Sequence, residues 1–282
     1  MAEQKNYTTE LQQFEKYLLD EEKSAATIEK YLRDIRGFCL YLAGRQISKE
    51  ETITYKERLT VDYAPASVNS MLIALNRFLR FIGMETCCVR LLKIQRQIYC
   101  TEDKELSKAE YARLVDAAKQ RGNERLNLIL QTICGTGIRV SELPYITAEA
   151  VREGKAVVNC KNKTRVIFIP SSIQKLLKQY MKKSGITAGS IFITKSGKPL
   201  NRRNIWRDMK ALCERAGVSP NKVYPHNLRH LFARTFYSMD KDIVRLADLL
   251  GHSSVNTTRI YTMETGNEHR NRLERVEKLL MT

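Results

Sequence analysis

Over its first 93 residues the chain never alternates apolar and polar side chains for any length, so it offers no strand; its apolar residues recur at helical spacing. Ile28, Tyr31, Leu32, Ile35, Phe38, Cys39 and Leu42 follow Ser24, with Gly44 as a stop. Val68, Leu72, Leu75, Phe78, Leu79 and Ile82 follow Pro65 and Ser67, with Gly83 at the end. A further helix over 8–21 takes Thr8 or Thr9 as its cap and carries Leu11, Phe14 and Leu18 on one face. Residues 45–65 are mixed, with a short helix near 49–58. This pattern predicts a small all-helical domain over residues 1–93. The stretch 94–106 is mostly polar and without a period, and it reads as a linker.

Residues 107–282 form a second domain with a different grammar. Ser107 with Glu110 makes a capping-box start for a helix. A second helix runs from Leu126 to about Cys134, where Gly135 and Gly137 break it and place Arg139 in or after a tight turn; a short helix over 140–145 follows. KAVVNC (155–160) and TRVIFI (164–169) read as a β-hairpin around KNK, and SIFIT (190–194), turned by Ser196-Gly197, as a third strand. A basic helix covers 172–184, and Asn201 caps another, RRNIWRDMKALCERAG, with Ile205, Met209 and Leu212 on its apolar face. The expected fold class is mainly α with a small antiparallel β-sheet in the C-terminal domain.

Charge narrows the function. The net charge of +17 and pI near 9.6 point to a polyanionic partner, nucleic acid first. Residues 1–100 hold 15 Lys+Arg against 13 Asp+Glu, so +2 of the charge lies there and +15 in the rest. Seven cysteines without a C-x-x-C, most of them among apolar residues, suit reduced core thiols in a cytoplasmic protein. No apolar run reaches membrane-spanning length, and the polar N-terminus does not read as a signal peptide. The histidines lack H-x-x-x-H spacing and there is no G-x-x-x-x-G-K-[ST] loop, so neither a metal nor a nucleotide cofactor is expected.

The densest signal runs from Pro225 to Tyr261: PHNLRHLFARTFYSMDKDIVRLADLLGHSSVNTTRIY. His226 and Arg229 are three apart and share a helix face. His252 follows Leu-Leu-Gly, and Tyr261 comes nine residues after it. This stretch resembles the signature of the tyrosine recombinase (phage integrase) family: H-x-x-R, then L-G-H, then the nucleophilic tyrosine. GTGIRVSEL resembles the same family's first arginine box, with Arg139 as the match. The family carries its catalytic lysine in a β-hairpin. Here the turn is one residue shorter than the common glycine-rich version, and Lys161 or Lys163 fills the place. Single positions have plainer explanations, such as a surface-turn arginine or a core tyrosine, but these do not account for all six positions in family order.

The resemblance implies a two-domain DNA clamp that cuts double-stranded DNA without metal or water. Tyr261 would attack phosphorus and keep the bond as a 3′-phosphotyrosine. Arg139 and Arg229 would hold the non-bridging oxygens. Lys161 would protonate the leaving 5′-oxygen, His226 would accept the tyrosine proton, and His252 would hydrogen-bond a phosphate oxygen. His230, about 100° round the helix from Arg229, is expected to be structural, and His269 to be solvent-exposed. Many family members have a histidine shortly after the nucleophile, where this chain has Thr262 and Met263. DNA contacts are expected from Lys30, Arg33, Arg36, Arg77 and Arg80 in the first domain, and from Arg202, Arg203, Arg207 and Lys210 in the second. The implied assembly is a homodimer on an inverted-repeat core site and a homotetramer in synapse. The last helix, about 267–280, either covers its own domain or docks on a neighbour. The function is expected to be integration or excision of a mobile element, or resolution of DNA dimers, through a Holliday junction. The alternatives are a catalytically silent DNA-binding accessory protein of the same fold and a type IB topoisomerase.

Overall fold

The structure, a computed structural model, describes residues 7–94, 102–160, 163–194, 196–261 and 266–281, with the backbone alone at 102, 160, 163, 266–269 and 272. The chain divides into two compact units, Met1–Arg96 and Gln97–Thr282.

The first unit is built of four helices: α1 (Thr8–Asp20), α2 (Ala25–Leu42), α3 (Lys49–Asp62) and α4 (Pro65–Phe81). The stripes read from sequence form its core, where Phe14, Ile35, Phe38, Leu42, Leu72, Phe78 and Leu79 are fully buried. Three details differ from expectation. Thr8 and Thr9 lie inside α1, and the N-cap residue is Tyr7, which uses no side-chain cap; its buried hydroxyl accepts from the Ile47 N–H instead. Helix α2, capped by Ser24, turns left-handed already at Ala43 (φ 48°), one residue before Gly44. Helix α3 runs a turn beyond residue 58, since Leu59 completes its thin buried stripe of Thr52, Tyr55 and Leu59.

The expected linker is shorter than 94–106. Residues Glu102–Lys104 form a 3-10 turn and Leu106 is 3% exposed in the core of the second unit, so this end belongs to that unit. Helix α5 (Lys108–Gln120) starts with the Ser107–Glu110 capping box. Helix α6 (Glu124–Thr136), capped by Asn123, runs through Gly135. Gly135 is a packing residue and does not break the helix: a Cβ there would lie 2.3 Å from Ile173 Cδ1. Gly137 (φ 66°) ends the helix. A 3-10 segment (Val140–Tyr145), α7 (Ala148–Glu153) and the antiparallel strands β1 (Lys155–Cys160) and β2 (Lys163–Phe168) follow, with Val157 opposite Val166 and Cys160 opposite Lys163. The expected third strand is absent, and among the described residues the sheet has two strands. Ile191 and Phe192 are both buried, whereas a strand would point them to opposite faces; the segment makes only isolated bridges, Thr147 with Ser190 and Ile193 with Pro199.

Helix α8 (Ser171–Ser184) packs on α6 and α7. The single helix expected after Asn201 is split into α9 (Arg202–Lys210) and α10 (Cys213–Ala216). Then come α11 (Pro225–Asp240), α12 (Ile243–Leu250), α13 (Val255–Thr258), a 3-10 turn Arg259–Tyr261 and α14 (Gly266–Leu280). The fold is thus mainly helical with one small antiparallel hairpin. Helix α11 packs along α6, so the end of α6 with Gly137 faces the histidines and arginine of α11.

Candidate active site

Arg229 is 1% exposed, the largest fully buried side chain among the described residues. A buried cation persists only when its charge and donors are satisfied. One guanidinium nitrogen donates to the Gly137 carbonyl at 2.6 Å and the other to the Leu250 carbonyl at 2.8 Å. These carbonyls lie at the C-terminal ends of α6 and α12, the negative poles of the two helices. The second nitrogen is also 3.0 Å from His252 Nε2. A guanidinium only donates, so Nε2 accepts. The His252 proton then sits on Nδ1 and is donated to Thr258 Oγ1 at 2.9 Å. Burial first, and then Arg139, push Arg229 down to about 10, with the Tyr261 side chain opposing them; it stays charged at neutral pH.

Arg139 is the more open of the two arginines. A carboxylate missed in the sequence, Glu142, holds it: the Arg139 guanidinium donates to Glu142 Oε1 and the Arg139 backbone N–H to Oε2, each at 2.9 Å. Glu142 is 1% exposed and also receives Arg165 of β2, at 2.5 Å. Burial raises the Glu142 carboxyl, but the Arg139 N–H and the two guanidinium groups outweigh it and hold it below the usual range. The spacing R-x-x-E was a readable signal, since i and i+3 meet on a helical turn. Arg165 carried none, because only the fold brings β2 here.

Tyr261 is 2% exposed and packs with Ala233, Leu246 and Leu250. The His252 ring lies parallel to its ring at 5.9 Å, and the His230 ring meets it edge-on at 4.6 Å. His230 also meets His226 at 4.7 Å. His230, expected to be structural, thus packs against both Tyr261 and His226. It is four residues after His226, and i and i+4 share a face just as i and i+3 do. Its Nδ1 lies 3.6 Å from Glu105, a residue of the supposed linker that also pairs with Arg234. His226 has an outer edge open to water; burial of the rest of the ring, then His230, Arg229, Arg139 and Arg202, push it below its ordinary value. Burial, and then Arg229, Arg139, Arg165 and His226, push His252 down to about 4. Both imidazoles are neutral at pH 7. His252 Nε2 is turned to Arg229 here, so donating to a phosphate requires it to change tautomer or partner.

Lys161 lies outside the described residues, as do Thr262 and Met263; of Lys163 the backbone alone is described, and the same holds for His269. Of the residues expected on DNA, Arg33, Arg36 and Arg80 are exposed, as are Arg202, Arg203 and Arg207 on α9. Lys30 is bonded to Asp34 and the Ser70 carbonyl, Arg77 to Glu21 and Tyr17, and Lys210 to the Pro220 carbonyl. Among the described residues no group of three or more His, Cys, Asp or Glu is placed to hold a metal ion, and no helix is long and apolar enough to cross a membrane.

Two arginines, flanking histidines and a tyrosine converge at the C-terminal ends of α6 and α12, in a helical unit with a hairpin that follows a small helical unit. The comparisons with known proteins agree on what this combination is. The phage integrase family matches residues 104–268, and the phage integrase N-terminal SAM-like domain matches residues 11–85. Tyrosine recombinase XerA of Pyrococcus furiosus is 30% identical over 278 residues, covering 95% of this chain and 94% of the relative. Among solved structures, a lambda integrase (75–356) dimer bound to a COC′ core site has a TM-score of 0.74 at 20% identity, covering 92% of this chain and 95% of that one. A lambda integrase tetramer bound to a Holliday junction has a TM-score of 0.70 at 20% identity, with coverage of 87% and 77%. The chain belongs to the phage integrase family, the tyrosine site-specific recombinases.

Proposed function

We propose that the protein cleaves and rejoins double-stranded DNA at an inverted-repeat core site through a 3′-phosphotyrosyl bond at Tyr261. The observation that carries this reading is the placing of the Tyr261 ring against His252 and His230, with Arg229 and Arg139 beside them. The Tyr261 oxygen attacks phosphorus and the 5′-oxygen leaves. The phosphotyrosyl bond keeps the energy of the broken one, so rejoining needs no nucleotide. Arg229 has five N–H groups and gives three to Gly137, Leu250 and His252; the others lie beside the Tyr261 side chain, where a phosphate oxygen would sit. Arg139, more exposed and steadied by Glu142, supplies the second fork. Removing one such donor costs about 3 kcal/mol of transition-state stabilisation. Neutral His226 accepts the phenol proton, with the His230 ring in contact with both partners. Lys161, or Lys163, protonates the leaving oxygen; this role rests on the family resemblance of the hairpin.

The helical unit, Met1–Arg96, and the catalytic unit, Gln97–Thr282, would close around the duplex. Arg33, Arg36 and Arg80 on one unit, and Arg202, Arg203 and Arg207 on the other, offer exposed cations to the phosphates. A homodimer would occupy one site and a homotetramer the synapse, passing through a Holliday junction. Helix α14 leaves Leu273, Val276, Leu279 and Leu280 exposed, which favours docking on a neighbouring subunit over covering its own unit. Integration or excision of a mobile element and resolution of joined DNA circles are the two cytoplasmic processes such an exchange serves.

The test is a covalent trap. The protein is mixed with supercoiled plasmid carrying the DNA that flanks its own gene, without divalent metal, and quenched with SDS. Protein–DNA adducts that vanish in Tyr261→Phe establish the nucleophile. If the plasmid is bound and neither protein forms an adduct, on nicked substrates as well, the protein is the silent accessory.

A further inference from the structure

The chemistry above makes no use of Arg165, although it reaches the same site as Arg139 and Arg229. Its side chain is 13% exposed. From β2 it makes two bonds to two different elements: one nitrogen to Glu142 Oε2 at 2.5 Å, the other to the Leu249 carbonyl at 2.7 Å. Glu142 fixes Arg139 through both its backbone and its guanidinium. Leu249 lies three residues before His252, across the corner at Gly251. That corner is shaped around Arg165: Gly251 has φ 65°, and a Cβ there would come 2.4 Å from Arg165 Cδ and 3.0 Å from its Nε. Arg165 Nε is itself buried and without a hydrogen-bond partner.

We propose that Arg165 is a positioning residue: by bridging Glu142 and the Leu249 carbonyl, it sets the spacing between the Arg139 guanidinium and the corner that presents His252, and ties both to strand β2. The inference rests on the phosphotyrosyl reading above. A planar fork spans two acceptors on separate elements, which a lysine's single ammonium does poorly. The charged groups facing Glu142 are Arg139, at the N-cap of the 3-10 segment, and Arg165 from β2, and burial opposes both. Without Arg165, burial works against Arg139 alone, so the carboxyl rises. A protonated Glu142 no longer holds Arg139, so the variant loses cleavage as pH falls through a range where the wild type keeps it.

Two readouts on the full chain test this, with Arg165→Met and Arg165→Lys. The first is the 13C titration of the Glu142 carboxyl, assigned by its loss in Glu142→Gln; it needs no DNA. Arg165→Met should raise the midpoint by about one pH unit or more, and Arg165→Lys should restore most of it. The second is single-turnover adduct formation on the plasmid above, from about pH 5.5 to 8.5. Arg165→Met should be slower by about tenfold or more at neutral pH, with a new acid limb, while binding to the same plasmid changes by less than about twofold. Arg165→Lys should remove the acid limb without regaining the full rate. A Glu142 midpoint unmoved in Arg165→Met, or wild-type adduct rates in either variant, would overturn the proposal. If Arg165→Met does not fold, Arg165→Lys alone decides by its rate. A wild type that forms no adduct counts against the phosphotyrosyl reading or the DNA chosen, and the carboxyl titration then decides for or against the Arg165 bridge by itself.

Discussion

At the scale of single residues, the site holds its charge by turning helix ends onto a buried cation. Arg229 is clamped by the last carbonyls of α6 and α12, and His252 completes the ring of acceptors around it. The cost falls on the imidazoles. His252 is held near 4, below an ordinary value of 6.5. Between those two values the unfolded chain binds a proton that the folded one refuses. The stability His252 contributes as a neutral ring is therefore full above about pH 6.5 and is lost as pH falls from there toward 4. Melting temperature measured against pH should fall through this window, and the fall should be shallower in His252→Gln. An equal fall in both proteins would mean that His252 is not held neutral. The six positions expected to be catalytic were legible as residue types in order, with Lys161 lying outside the described residues. Of the partners that hold them, Glu142 was readable from its R-x-x-E spacing, whereas Arg165 and Glu105 are brought near only by packing and Thr258 only by the turn that follows His252.

At the scale of elements, the glycines separate what pattern reveals from what packing decides. Gly135 and Gly137 look alike in the sequence. Gly137 ends α6 in the left-handed region, while Gly135 stays helical and leaves room for Ile173 of α8 where a Cβ would otherwise lie. Gly135→Ala should thus destabilise by overpacking, about 1–3 kcal/mol in chemical denaturation. Adding Ile173→Val should return part of the loss, since the colliding atom is Ile173 Cδ1. Additive losses in the double variant would show that the two residues do not share that space. The hairpin was readable from its two β-branched runs. The segment 190–194 has a similar composition, but it forms only one isolated bridge on each side and no continuous ladder, and composition does not carry that information.

At the scale of the whole molecule, charge is the property that sequence sets first and structure then sorts. Residues 1–100 carry a net +2, yet Arg33, Arg36 and Arg80 are exposed while Lys30 and Arg77 are engaged internally. Replacing the three exposed arginines by Gln should weaken DNA binding and reduce the slope of log affinity against log salt by about 0.9 for each phosphate that is no longer neutralised. An unchanged slope would make that face merely solvated. The sequence by itself determined the helical class of the first unit, the hairpin, and the order Arg139, His226, Arg229, His252, Tyr261, because periodicity and spacing are local properties of the chain. Only the tertiary structure decided that His230 sits against Tyr261, that residues 102–106 belong to the catalytic unit, and that Arg165 bridges Glu142 to the His252 corner. Each of these depends on which elements pack together, and the free energy of that packing comes from contacts between residues far apart in the chain.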